Sequence, residues 1–211
     1  MKKQLDYIFV DLDGTLLEGK YRHFNCYRDI VLKYGGNPLD INDYWKLKRN
    51  KTKRDVILKK SHFEGTYQDF FNDWLENIEK KNYLVFDKLK PKIKATLKKW
   101  RKISDQIVLI TMRQSRKNLL WQLKKLGIIA LFDEIILASI KEADSKFKSL
   151  SRFKFDRAVL IGDTEEEIKA AKLMKITSIA ISTGIREKKY LAKADYLEED
   201  ISKINLFKLK I

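Results

Sequence analysis

Cysteine is almost missing from this chain. Cys26 stands alone among 211 residues, so no internal disulfide can form, and the two histidines are too few to complete a Cys/His zinc site. Cys26 is therefore read as a small buried or half-buried side chain. Two prolines and eight glycines exclude collagen-like and low-complexity classes. No apolar run approaches the roughly 18 residues needed to span a bilayer. The opening Met1-Lys2-Lys3-Gln4-Leu5-Asp6 carries no apolar stretch of signal-peptide kind. The expectation is a soluble, cytoplasmic protein with no membrane partner. What the chain has in excess is positive charge, 45 Lys and Arg against 29 Asp and Glu, a formal +16. Attraction of anionic substrates, contact with a nucleic-acid backbone and a lysine-rich solvated surface all account for it, and composition does not separate them.

Four short apolar runs recur, at residues 7–10, 107–110, 158–161 and 176–181, with a weaker one at 134–137. Unbroken rather than alternating hydrophobicity at strand length means burial on both faces, as in a parallel sheet covered by helices. Segments with helical spacing lie between the later runs, at 118–126 before Gly127 and at 165–175. Alternation of strand and helix predicts an α/β fold with a doubly wound parallel sheet. In such a sheet the ligand crevice lies beyond the carboxyl ends of the strands, which singles out Asp11, Thr111 and Asp163. The stretch 19–87 breaks the alternation. It reads as amphipathic helices, for instance 21–34, 53–62 and 67–78, with Gly35-Gly36-Asn37-Pro38 as a turn. The expected organisation is a core of 1–18 and 88–211 with an inserted helical subdomain at 19–87.

The first run continues as Asp11-Leu12-Asp13-Gly14-Thr15-Leu16-Leu17, which sets two carboxylates two residues apart at a sheet edge. Such a pair suits a hard divalent cation such as Mg2+, which takes oxygen ligands and neutralises both the carboxylates and an incoming phosphate. In that reading Asp11 attacks phosphorus and Asp13 moves the proton. A plain Asp-Gly turn with both carboxylates solvated is the alternative.

The segment resembles the first motif of the haloacid-dehalogenase-like phosphatase superfamily, and the resemblance implies further elements in order. Thr111, after the run 107–110, matches the second motif, whose hydroxyl would hydrogen-bond the phosphoryl group. Lys146 matches the third, a lysine that offsets charge on nucleophile and phosphoryl oxygens, with Lys141 and Lys148 as rivals. Ile161-Gly162-Asp163-Thr164-Glu165-Glu166-Glu167 matches the fourth, so that Asp163 would complete a metal site with Asp11 and Asp13. Asp163 followed by Glu166 also reads as a capping box at a helix start, and the two roles are compatible. Glu167 stands where the family more often has Asp, which leaves it as a direct or a water-mediated ligand.

Ser182-Thr183-Gly184-Ile185 and Ala194-Asp195-Tyr196 resemble the tail of the phosphoglycolate-phosphatase-like branch. The stretch 19–87 then resembles that branch's α-helical cap, beside a Rossmann-like core. Arg22, His23, Lys48 and Arg49 are candidates there for substrate contact, and His62 for a structural role. Gly14, Thr15, Met112 and Arg113 are secondary site candidates. Arg113 could fork onto phosphate oxygens or lie on the surface.

The function the resemblance implies is Mg2+-dependent hydrolysis of a small phosphorylated metabolite through an aspartyl-phosphate on Asp11, by a monomer or homodimer. A sugar phosphomutase would use the same residues. A basic nucleic-acid-binding protein, or a phosphatase of nucleic-acid ends, would use the lysines of 88–102. Against that, Ile93, Leu97 and Trp100 at helical spacing give that stretch a core face.

Overall fold

The structure is a computed structural model and describes residues 4–207. The apolar runs form strands β1 (Leu5–Val10), β4 (Ser104–Thr111), β5 (Glu134–Leu137), β6 (Ala158–Gly162) and β7 (Thr177–Ile181), joined at one edge by β8 (Tyr196–Glu198). Two further short strands, β2 (Leu17–Glu18) and β3 (Lys88–Leu89), pair as a separate ribbon. The main sheet has the order β5-β4-β1-β6-β7-β8, and the pairings are parallel. Each central strand sends alternate residues to opposite sides. Ile8, Val10, Leu109 and Ile161 enter one apolar cluster, while Phe9, Val108, Ile110 and Leu160 enter another. Both faces are thus buried, which is why the strands read as continuous apolar runs.

Helices α6 (Ile93–Trp100), α7 (Arg116–Leu126), α8 (Ser145–Leu150) and α9 (Glu165–Met174) belong to the same body as the sheet. Helix α6 buries Ile93, Leu97 and Trp100 in the first cluster, leaving Lys94, Lys98 and Lys99 exposed. Burying each of those large side chains stabilises by about 1.5–3 kcal/mol. This explains the helix without any nucleic-acid partner. Helix α7 begins at a Ser115 cap and ends at Gly127 with φ +66°, the left-handed conformation glycine tolerates best.

Two expectations need correction. The strand expected over 176–181 begins at Thr177, because Lys175 (φ 57°) ends α9 in the left-handed region and Ile176 still serves the turn. The edge strand β8 was not anticipated as a strand. It is three residues of mixed polarity whose pairing with β7 comes from the sheet rather than from its own pattern.

The chain separates into two compact units, one formed by the residues up to Leu17 with those from Leu89 on, the other by Glu18–Lys88. The second unit holds α1 (Lys20–Lys33), α2 (Ile41–Arg49), α3 (Arg54–Lys60), α4 (Tyr67–Asn77) and α5 (Lys81–Leu84). Asp40 caps α2, and a Thr66–Asp69 capping box starts α4. Its core gathers Cys26, Tyr27, Val31, Tyr44, Leu58, Phe70 and Trp74, with the Tyr27 and Tyr44 rings stacked 4.2 Å apart. Burial pushes the Cys26 thiol up to about 12, so it is an inert packing group.

Candidate active site

Strand register builds the site. Val10 lies level with Leu109 on one side and with Ile161 on the other, so β1, β4 and β6 end together. Asp11, Thr111 and Asp163 leave the sheet at that shared carboxyl edge. The chain runs from β1 to β4 and β5 on one flank and returns to β6 on the other, so the edge beside β1 is the topological switch point, where α/β sheets open a crevice.

Asp11, Thr111, Lys146, Asp163 and Glu167 are all buried. The Thr15 hydroxyl lies 3.3 Å from Asp11 Oδ2 and 3.4 Å from Asp163 Oδ1, so one hydroxyl stands between two carboxylates separated by 152 positions in the chain. Lys146, from α8, donates to Asp11 Oδ1 at 2.5 Å and also to Glu167 Oε1. Lys141 and Lys148 are exposed, and Lys148 faces Glu142, so of the three lysines weighed only Lys146 reaches Asp11. Thr111 is buried at the end of β4, where its carbonyl accepts from the Ala138 N–H at 2.8 Å.

Glycines let the loops close on Asp163. Gly14 has φ +84°, and a side-chain carbon there or at Gly184 would collide with the Asp163 carboxylate. The Ile185 N–H donates to Asp163 Oδ2 at 2.5 Å. The helix after β6 starts at Glu165 as expected, but its cap lies one residue later than the capping-box reading has it. Thr164, not Asp163, is the cap, and its capping-box partner is Glu167, not Glu166. An extended backbone at Thr164 turns that hydroxyl to the helix and leaves the Asp163 side chain for the site. Glu167 Oε2 accepts from the Thr164 N–H at 2.9 Å and its hydroxyl at 2.7 Å while Oε1 takes Lys146, so both of its oxygens are engaged.

Asp13 is tied to an arginine. Its side chain, 28% exposed, is held by a fork from Arg113, Nε to Oδ2 at 2.6 Å and Nη2 to Oδ1 at 2.7 Å. Arg113 also reaches Gln122 Oε1 at 3.3 Å. The guanidinium, read as either meeting phosphate oxygens or lying on the surface, is buried and binds a carboxylate, whose planar geometry it matches. Met112 packs into the second apolar cluster, because the residue after Thr111 falls on the opposite face of the strand line. Lys90 was missed altogether. Its buried ammonium donates to the Gly14 carbonyl and to Thr183 Oγ1 at 3.2 Å. One lysine in a lysine-rich stretch carries no signal of such a placement.

The electrostatics bear on a metal. Burial raises the Asp11 carboxyl well above the usual range; Lys146 opposes this, while Glu167 and Asp163 add to it. Burial, and then Glu167, pushes Asp163 up to about 7 against the Ile185 N–H, Lys90 and Lys146. Burial also works against the Lys146 ammonium, but Asp11 and Glu167 outweigh it and keep the amine protonated. Three buried carboxylates share too little positive charge, a deficit that a divalent cation would fill. Among the described residues no three His, Cys, Asp or Glu side chains converge closely enough to hold a metal ion. Asp11 and Asp163, both within reach of the Thr15 hydroxyl, are carboxylates whose chemistry suits a hard cation, while the Asp13 carboxylate is turned to Arg113.

The helical unit places its candidates differently. Arg22 is buried in an ion pair with Asp87 at 3.0 Å. His23 lies against the Trp45 and Trp74 rings, and Lys48 lies over Tyr44 and Trp74. Arg49 is partly buried, and His62 is exposed with φ +49° just after α3. Among the described residues no helix is long and apolar enough to cross a membrane.

Comparison with solved structures returns the same architecture over nearly the whole chain. A predicted phosphoglycolate phosphatase from Haemophilus somnus 129PT superposes with TM-score 0.75 at 20% identity, covering 94% of this chain and 96% of the other. A family IA, variant 3 hydrolase from Entamoeba histolytica gives 0.71 at 19%, covering 96% of each chain. A predicted phosphatase from Clostridium acetobutylicum gives 0.70 at 19%, covering 94% and 95%. At such identities the likeness shows the fold. Among curated proteins no relative matches. A family model described as haloacid dehalogenase-like hydrolase matches residues 5–175, which takes in β1 with Asp11, β4 with Thr111, Lys146 and Asp163. The chain belongs to the haloacid dehalogenase-like hydrolase family.

Proposed function

We propose that this hydrolase cleaves a small phosphomonoester through an aspartyl-phosphate on Asp11. The observation that carries the reading is the buried Asp11 carboxylate, held at one oxygen by Lys146 and linked at the other to Asp163 through the Thr15 hydroxyl. Asp11 attacks phosphorus, the ester P–O bond breaks, and the leaving alcohol takes a proton from Asp13. Water then attacks the phosphoryl group while Asp13 accepts its proton, releasing inorganic phosphate and the free Asp11 carboxylate. Lys146 stabilises charge on the nucleophile and the phosphoryl oxygens, and Thr111 is assigned a hydrogen bond to the same group. Asp11 and Asp163 would hold a Mg2+ ion, which supplies positive charge at the phosphoryl oxygens when bound.

The name of the Haemophilus somnus neighbour supports a phosphorylated small molecule as substrate. The helical unit, as a cap, would choose among such molecules. Asp11→Asn is expected to abolish phosphate release from p-nitrophenyl phosphate while the protein stays folded, because the amide keeps the shape but not the anionic nucleophile. Turnover by that variant at the parent rate would move the nucleophile elsewhere.

A further inference from the structure

Lys90 lies outside every segment assigned a step in the proposed reaction. It directly follows β3, and its backbone N–H donates to the Leu16 carbonyl at 3.0 Å, so the residue runs beside the nucleophile loop. Its side chain turns inward. Only 9% of the residue is exposed, and the ammonium donates to the Gly14 carbonyl and to Thr183 Oγ1. A lysine is costly to bury unless its donors are engaged, and this one also faces the Asp163 carboxylate, whose raised pKa it opposes. Both acceptors belong to the loops that fence Asp163. Gly14 and Gly184 press on its carboxylate from two directions, and Thr183 is tied in turn to the Glu199 carbonyl at 2.6 Å.

We propose that Lys90 is a positioning residue of this active site. Its buried ammonium clamps the Gly14 carbonyl of the nucleophile loop to the Thr183 hydroxyl of the loop after β7, so that Asp163 is held at a set distance from Asp11. The chain of contacts is short. The Gly14 carbonyl is part of the peptide that carries Thr15, whose hydroxyl lies between Asp11 and Asp163. The Thr183 loop carries the Ile185 N–H that orients Asp163. Loss of the clamp frees both sides of one carboxylate, while the apolar core beneath is unchanged. The inference rests on the phosphohydrolase reading for its kinetic consequence but not for its geometric one.

The test uses Lys90→Met, Thr183→Val and the double variant of the full chain, with p-nitrophenyl phosphate and Mg2+. Lys90→Met should lose about 10²-fold in kcat, the scale of a small misplacement of reacting groups, with KM changed less than about threefold. Its melting temperature should fall, since the Asp163 carboxylate loses a nearby cation, so Thr183→Val, which keeps that charge, separates positioning from stability. Thr183→Val should lose less, and the double variant no more than Lys90→Met alone, because the two groups act as one unit. Hydrogen exchange without substrate should quicken at residues 182–186 in Lys90→Met and stay unchanged in β6 and β7. A parent protein that releases no phosphate would sink the hydrolase reading, while the exchange measurement would still decide the clamp. Additive losses, a kcat within about twofold of the parent, or unchanged exchange at 182–186 would each overturn it.

Discussion

The Lys146 ammonium lies 2.5 Å from Asp11 Oδ1 with both side chains almost wholly excluded from solvent. An ion pair in that position is held by its geometry, and removal of the cation leaves Asp11 and Glu167 as buried, uncompensated carboxylates.

Lys146→Met is accordingly expected to lower the unfolding free energy of the metal-free protein by about 3–5 kcal/mol. Phosphatase turnover should fall by about 10²–10³-fold, the scale of removing one group that faces developing charge. Urea unfolding and steady-state kinetics on the same samples check both. A variant as stable and as active as the parent would detach Lys146 from the site.

Asp163 couples stability to pH. Its carboxyl rises from 3.8 to about 7 in the fold, chiefly through burial. A carboxylate raised on folding contributes stability that is complete below its unfolded pKa and is lost as pH rises through the folded value. The metal-free protein should therefore melt at a lower temperature at about pH 8 than at about pH 5. Asp11, raised for the same reason, acts in the same direction. Asp163→Asn should flatten the slope, and Mg2+ should stabilise the parent most at the higher pH. Thermal melts across that range, with and without Mg2+, read this directly. A slope as steep in Asp163→Asn as in the parent would show that another group carries it.

Arg113 sets the direction of Asp13. Arg113→Lys keeps the charge but cannot fork onto a carboxylate, so it should restore only part of what Arg113→Ala removes. If Asp13 carries the proton, Arg113→Ala should slow turnover by up to about 10²–10⁴-fold, the range of acid–base contributions. Rapid mixing with p-nitrophenyl phosphate should then show a retained burst of nitrophenol followed by slow phosphoenzyme hydrolysis. Equal rates in parent, Lys and Ala variants would remove the fork from the mechanism.

Much of the fold was legible because its signals are local. The runs at 107–110 and 158–161 read as buried strands from composition alone, and each lies within a longer strand of the sheet. The apolar face of α6 was equally readable, and it separated a packed helix from a nucleic-acid patch. The cap of α9 was misread by one residue because Asp163 and Thr164 are both good caps, and only the fold shows Thr164 in that place. The edge strand β8 has no pattern of its own to read.

By itself the sequence determined the chemistry available at the carboxyl edge, the order of the strands along the chain, and the residues Asp11, Thr111 and Asp163 that follow three of them. Tertiary structure alone decided which lysine meets Asp11, that Arg113 binds Asp13 instead of facing open space, and that Lys90 joins the Gly14 loop to the Thr183 loop, 93 positions beyond Lys90 itself. The physical reason is range. Strand and helix propensities act over a few neighbouring residues, whereas the pairing of one buried charge with another depends on where the finished sheet and its loops bring them.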